Sequence, residues 1–250
     1  MNLYHEERGI QIYHGDSIAE GLPCECDALI TDPPYSERTH AGHRDGVASV
    51  EHGSYVVDGV ARGGGGNRRV IGYETWTIDD VCRVAVTWSP MVRGWMVVVT
   101  DHILAPVWSE HLAAAGRYVF APLPWFSPGS RVRLAGDGPS SWTCWIVVSR
   151  PRHPPYSKWG TLPGGYVTSP EKQALVGGKP RRLMLSLVAD YSRVGDVVCD
   201  PCCGAGTTLL AARDLGRTAI GIDISEEHCQ MAAGRRAFDE TAAQRTLFSR

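Results

Sequence analysis

The stretch that most constrains the fold runs from Asp196 to Gly216, DVVCDPCCGAGTTLLAARDLG. A short run of strand character leads into a turn carrying Gly204 and Gly206. The turn opens the helical run TTLLAARDL, and Gly216 closes it. Strand, glycine turn and helix are the means by which an open α/β sheet holds a nucleotide-like ligand beyond a strand's carboxyl end. The two glycines let the backbone approach that ligand, and the free N–H groups from Thr207 onward favour an anion. Leu209 occupies the third glycine position of a dinucleotide fingerprint, which counts against a nicotinamide coenzyme. About twenty residues on, the strand TAIGI reaches Asp223, placed to accept hydrogen bonds from ribose hydroxyls. Asp223 is equally placed to cap the helix that begins near Ser225.

The rest of the chain alternates in the same way. Strand character recurs at Ile10–His14, Asp27–Thr31, Trp95–Thr100, Tyr118–Ala121 and Trp142–Ser149, as it does in DVVC and TAIGI. Helical spacing falls at Ile78–Val92, Ile103–Ala115, Arg181–Tyr191, Thr207–Leu215 and Glu226–Phe238. Strands alternating with helices of this length predict one doubly wound, Rossmann-like α/β domain over residues 1–250, with a mostly parallel seven-stranded sheet. Residues 36–75 are polar, include Gly63 to Gly66, and read as a mobile insert. Residues 122–178 hold loops rich in Pro, Gly and aromatics, where substrate recognition is expected.

A second motif, Thr31-Asp32-Pro33-Pro34-Tyr35, directly follows the strand DALIT. A carboxylate and two prolines make a rigid turn at a strand end, with an aromatic face beside it. Alone, this is as well read as a capped proline turn.

Composition narrows the class. No run reaches the ~18 apolar residues of a membrane span, and the N-terminus lacks an apolar export signal, so the expected location is cytoplasmic. The eight cysteines lack paired CxxC spacing, so a metal site is not expected. Net charge is −2, yet Arg117 to Arg182 carries ten Lys/Arg against two acids, a local +8. That segment, with Arg131 and Arg133, and the acid-free run holding Arg62, Arg68 and Arg69, suits a phosphate backbone or else a solvated basic surface.

Taken together, the two motifs resemble those of the β-class amino-methylating DNA methyltransferases, in which the DPPY motif comes first and the glycine motif last. The resemblance covers Gly15–Tyr35 and Gly177–Ser225; between them only the strand pattern matches. It implies S-adenosylmethionine as cofactor and DNA as substrate, with the target base flipped out of the duplex. Asp32 and the Pro33 carbonyl would then accept hydrogen bonds from the target amino group. Pro34 would hold the turn, and Tyr35 would stack on the base, with Trp125 or Phe126 on its other face. Asp16, Lys179, Pro180, Asp200, Cys202, Gly204, Gly206, Thr207 and Asp223 would bind the cofactor. Cys202 stands where the family often has Phe, and Asp223 where Glu is commoner.

Within that chemistry, Asp32 favours adenine N6, because cytosine-N4 members more often carry Ser-Pro-Pro-Tyr. Carbon-5 methylation is rejected, since Pro201-Cys202 lies inside the glycine motif and no Glu-Asn-Val motif accompanies it. A nicotinamide oxidoreductase leaves DPPY without a role. A non-catalytic nucleic-acid-binding module on the same fold is the remaining alternative. A homodimer and a cognate restriction enzyme are the expected protein partners.

Overall fold

Along the strands of the central sheet, alternate residues are buried on opposite faces, and that property dictates three layers. The structure, a computed structural model, describes residues 1–37, 39, 54–57, 60–63, 74–129, 141–153, 159–171, 174–175 and 177–235. In chain order the first elements are β1 (Asn2–Glu7), β2 (Ile10–His14), α1 (Ser17–Glu20), β3 (Ala28–Thr31), β4 (Ser54–Val57) and β5 (Val60–Gly63). Next come α2 (Ile78–Trp88), β6 (Met96–Thr100), α3 (Leu104–Ala114), β7 (Arg117–Val119), β8 (Leu123–Phe126), β9 (Thr143–Pro151) and β10 (Tyr166–Val167). The last are α4 (Arg181–Tyr191), β11 (Val197–Asp200), α5 (Thr207–Asp214), β12 (Thr218–Asp223) and a helix over 226–235.

Ten strands form the main sheet in the order β1-β2-β12-β11-β3-β6-β9-β8-β10, with β7 pairing the far end of β9. From β2 to β6 the neighbours are parallel; β9 then runs antiparallel, and β8 and β10 return to the first direction. The expected α/β class is found, but the count of seven strands is corrected to ten. All seven expected strands are present. The additions are β1, an exposed antiparallel edge, and the short β8 and β10. Hence part of 122–178, expected as recognition loops, builds the sheet itself.

Ile30, Val97, Ile146 and Val198 face α4, α5 and the last helix, while Leu29, Val98, Val147 and Cys199 face α2 and α3. The second layer is filled by Trp76, Trp88 and Trp108, whose ring centroids lie 5.9 to 6.4 Å apart. α2 is fixed at its start by a capping box between Thr77 and Asp80.

Of the expected insert at 36–75, β4 and β5 make an antiparallel two-stranded hairpin. Most of that insert, including Arg68 and Arg69, lies outside the described residues, as do Arg131 and Arg133.

Candidate functional site

Because β2, β12, β11, β3 and β6 are parallel neighbours, their carboxyl ends meet on one rim. Each is followed there by an aspartate: Asp16 after β2, Asp223 closing β12, Asp200 closing β11, Asp32 after β3 and Asp101 after β6. The two sequence motifs thus lie on adjacent strands, with Asp32 and the glycine turn side by side.

Asp200 is 2% exposed, and its Oδ1 accepts from the Thr31 hydroxyl (2.7 Å) and the Cys202 N–H (3.1 Å). Burial pushes its carboxyl up to about 6; bonds from Thr208, Thr31 and Cys202 oppose that rise, and nearby Asp32 adds to it. Burial, then the carboxylates of Asp200, Asp223 and Asp32, push the Cys202 thiol well up.

The turn between β11 and α5 needs its glycines. Gly204 (φ +50°) and Gly206 (φ +75°) are left-handed, and a Cβ on Gly206 would stand 3.0 Å from that of Ala232. Gly221, in β12, is required for a different reason. A Cβ there would lie 2.5 Å from Leu209 Cδ1 and 2.9 Å from Cys203 Sγ, so its absence lets α5 and the turn settle on the sheet.

Asp223 holds this turn. Its Oδ2 accepts from the Gly204 N–H (2.8 Å), and its Oδ1 accepts from the Ser225 N–H (2.9 Å) and meets His228 Nδ1 at 3.0 Å. The bond to Asp223 raises the His228 imidazole above its ordinary value, against the opposing effect of burial. Asp223 thus stands on the rim, while the cap of the last helix is Ser225, whose Oγ accepts from the His228 N–H at 3.3 Å. Asp16 caps α1 through the Ile18 N–H at 2.8 Å and the Ala19 N–H at 3.3 Å, and Ser17 Oγ donates to the Pro201 carbonyl at 2.9 Å. Thr207, at the start of α5, has its hydroxyl 3.2 Å from Arg235 Nη1.

Tyr35 is 6% exposed and shares a buried layer with Trp125. Lys179, just before α4, donates to Asp32 Oδ2 (2.5 Å) and to the Gly177 carbonyl (3.0 Å), and its Nζ stands 4.8 Å from the Tyr35 ring centroid. Pro180 caps the start of α4 with extended backbone. Trp125 donates from Nε1 to Thr168 Oγ1 (2.9 Å), whereas Phe126 points to the other side of β8 and meets Trp142 edge-on. Of these two rings, Trp125 shares the layer of Tyr35.

Three residues of this site were not found in the sequence. Asp101 is buried and draws five hydrogen bonds together. Its Oδ2 accepts from the Ser36 N–H (2.9 Å), Ser36 Oγ (2.5 Å) and Thr39 Oγ1 (2.6 Å), and its Oδ1 from the Ile103 and Leu104 N–H groups (3.0 and 2.9 Å). It clamps the exit of the Asp32–Tyr35 turn to the start of α3. His228 and Arg235 reach the rim from the last helix. An acid three residues before a helical run was the available signal for Asp101. The other two depend on how that helix packs.

Among the described residues of the +8 segment, Lys179 reaches this rim and Arg117 and Arg150 do not. Arg117 is buried at the opposite edge; Arg150, at the far end of β9, lies over the Tyr118 ring (4.9 Å). Lys179 pairs with Asp32, Arg181 with Asp214 and Arg182 with Glu171.

Residues 149–234 match the family model described as DNA methylase. That segment, about a third of the chain, is what resembles the family. A 57-residue stretch is 40% identical to the type II methyltransferase M.HpaI of Haemophilus parainfluenzae, covering 23% of this chain and 18% of that protein. The match thus spans about a fifth of that relative's length. Over 91% of this chain and 98% of the other, the fold superposes on the M1.HpyAVI–SAM complex with TM-score 0.61 at 23% identity. It superposes equally on the cytosine-N4-specific PvuII DNA methyltransferase: TM-score 0.61, 16% identity, 94% of this chain and 90% of that one.

Proposed function

We propose that the protein is an S-adenosylmethionine-dependent DNA methyltransferase that modifies an exocyclic amino group, adenine N6. The observation that carries this reading is the pairing of two chemistries on neighbouring strand ends. The Asp32–Tyr35 turn follows β3, and the glycine turn follows β11 beside it.

The rim's charge argues for this cofactor over a dinucleotide. Asp200, buried at the start of the glycine turn, stands where a pyrophosphate would lie, and Asp223 flanks the same turn. A buried carboxyl at that turn disfavours a pyrophosphate and suits a ligand carrying a sulfonium, whereas Asp223 suits the ribose of either ligand. The M1.HpyAVI structure is a SAM complex, which adds weight. When bound, S-adenosylmethionine supplies an electrophilic methyl group.

The chain's own residues then do the positioning. Gly204 and Gly206 admit the ligand against the backbone, with Asp16, Asp200, Cys202 and Asp223 around it. The N–H groups from Thr207 face its carboxylate. Asp32 and the Pro33 carbonyl hold the target amino group, Pro34 stiffens the turn, and Tyr35 and Trp125 sandwich the flipped base. The loops within 122–178, with Arg62, Arg68, Arg69, Arg131 and Arg133, are proposed to contact DNA. Cytoplasmic residence, a homodimer and a cognate restriction enzyme are proposed alongside this reading. Among the described residues no helix is long and apolar enough to cross a membrane.

Adenine is favoured by Asp32. The likeness to the cytosine-N4-specific PvuII enzyme keeps N4 as the second reading. Incubation with tritiated S-adenosylmethionine and DNA of mixed sequence, then nucleoside mass spectrometry, tests both. N6-methyladenine is expected. N4-methylcytosine corrects the base, and absence of label despite cofactor binding contradicts the activity.

A further inference from the structure

The resemblance assigns Lys179 to the cofactor, but its contacts point elsewhere. Lys179 is 8% exposed, and its ammonium is engaged on three sides: Asp32 Oδ2, the Gly177 carbonyl and the face of Tyr35. The side chain is carried by a rigid support. Pro180 fixes the backbone beside it, the Arg181 N–H donates to Glu171 at 2.9 Å, and the Arg181 guanidinium pairs with Asp214 of α5. α4 itself is buried through Leu183, Met184, Leu187 and Val188. The ammonium is therefore delivered to Asp32 by a packed helix, not by a free loop.

Resting on the proposed amino-methylation, we propose that Lys179 is a positioning residue for Asp32 and not a ligand of the methyl donor. The physical need is specific. Asp32 accepts most strongly from an amino group as an ionised carboxylate in a fixed orientation. It lies near Asp200, itself a buried carboxyl, and two neighbouring carboxylates favour the protonation of one. A protonated Asp32 presents an O–H where the amino group needs an acceptor. The Lys179 ammonium opposes that protonation and pins Oδ2. The charged or titratable groups facing Asp32 include Lys179, Asp200 of β11, the Cys202 thiol after it, and Tyr35 in its own turn.

The test uses Lys179→Met and Lys179→Arg in the full chain, with three readouts. S-adenosylmethionine affinity by calorimetry is expected to stay within ~3-fold of wild type in both. In Lys179→Met the rate of methyl transfer falls, and the acid limb of its pH profile moves up by ~1 pH unit or more; Lys179→Arg restores that limb. A donor affinity lowered ~10-fold (about 1.4 kcal/mol) with the limb unmoved overturns the assignment.

A wild-type protein that transfers no methyl group contradicts the proposed function instead, and the third readout then decides the assignment. Thermal unfolding of Lys179→Met, Asp32→Asn and the double variant is compared. A double variant that loses clearly less than the summed losses of the singles supports a coupled pair, and strictly additive losses refute it.

Discussion

The two ends of the central sheet both bury charge, and they treat it oppositely. At the base, Arg117 is 3% exposed and surrounded by acceptors. Its guanidinium donates to Ser149 Oγ (3.0 Å) and to the carbonyls of Ser89 (3.4 Å), Val92 (3.2 Å), Gly94 and Ser149 (3.5 Å). Burial lowers its pKa to about 10, so it stays charged and saturated at neutral pH. On the rim the buried charges are carboxylates at strand ends. Their partners include a lysine, a histidine and the N–H groups of a glycine turn. The base uses charge to close the fold; the rim keeps charge where a ligand arrives, at a cost in stability.

Breaking the base should have the largest effect on stability. Arg117→Ala removes a buried side chain and leaves several carbonyls and a hydroxyl short of a donor. We expect a loss on the order of 4 kcal/mol, measured by denaturant unfolding. Activity per folded molecule should be retained, since Arg117 is far from the rim.

Asp200→Asn should move stability the other way. The Asp200 carboxyl is raised from 3.8 to about 6, so the native state binds its proton more tightly than the unfolded chain does. That favourable contribution is present below pH 3.8 and is lost as pH rises through about 6. At pH 8 the ionised group costs about 3 kcal/mol, an upper figure that the Asn variant should largely regain. Donor binding should weaken in the same variant. A variant that loses stability at pH 8 would contradict the idea that this carboxylate is kept for function.

Asp101→Asn sharpens the comparison within the rim. Replacing one carboxylate oxygen disturbs bonds that tie Ser36 and Thr39 to the start of α3, and we expect about 1–2 kcal/mol of lost stability. The rate of methyl transfer should fall more than donor affinity does, because the clamp holds the Asp32 turn and not the glycine turn. The smallest effect is expected at His228. Its pKa is raised from 6.5 by Asp223, so its stabilising contribution is present below 6.5 and fades as pH rises through the elevated value. Melting temperature should decline across that window in the wild type, and His228→Gln should flatten the decline.

How much of this was legible in the sequence follows from where the information lies. β3, β6, β11 and β12 are largely buried on both faces and read as short apolar runs, and β2 alternates, so the centre of the sheet and both motifs were visible. β1 was not, because its residues are mostly exposed and polar; β8 contains Pro124, and β10 is two residues long. Among site residues, Asp32, Asp200 and Asp223 were marked by their position after strands. Lys179 was found, but its contact with Asp32 was not, since the path of the chain from β10 back to β3 is not written in local spacing. The described part of the basic segment is divided for the same reason: Arg117 and Arg150 lie on the paired strands β7 and β9 at the base, whereas Lys179 reaches the rim.

The central claim is that Asp32 holds the target amino group beside a separately built donor site. The most direct measurement compares Asp32→Ala with wild type in tritiated methyl transfer to DNA and, on the same preparations, in S-adenosylmethionine affinity. The account predicts transfer reduced at least ~10³-fold with donor affinity and melting temperature little changed. Transfer within ~10-fold of wild type in a folded, donor-binding variant would contradict it.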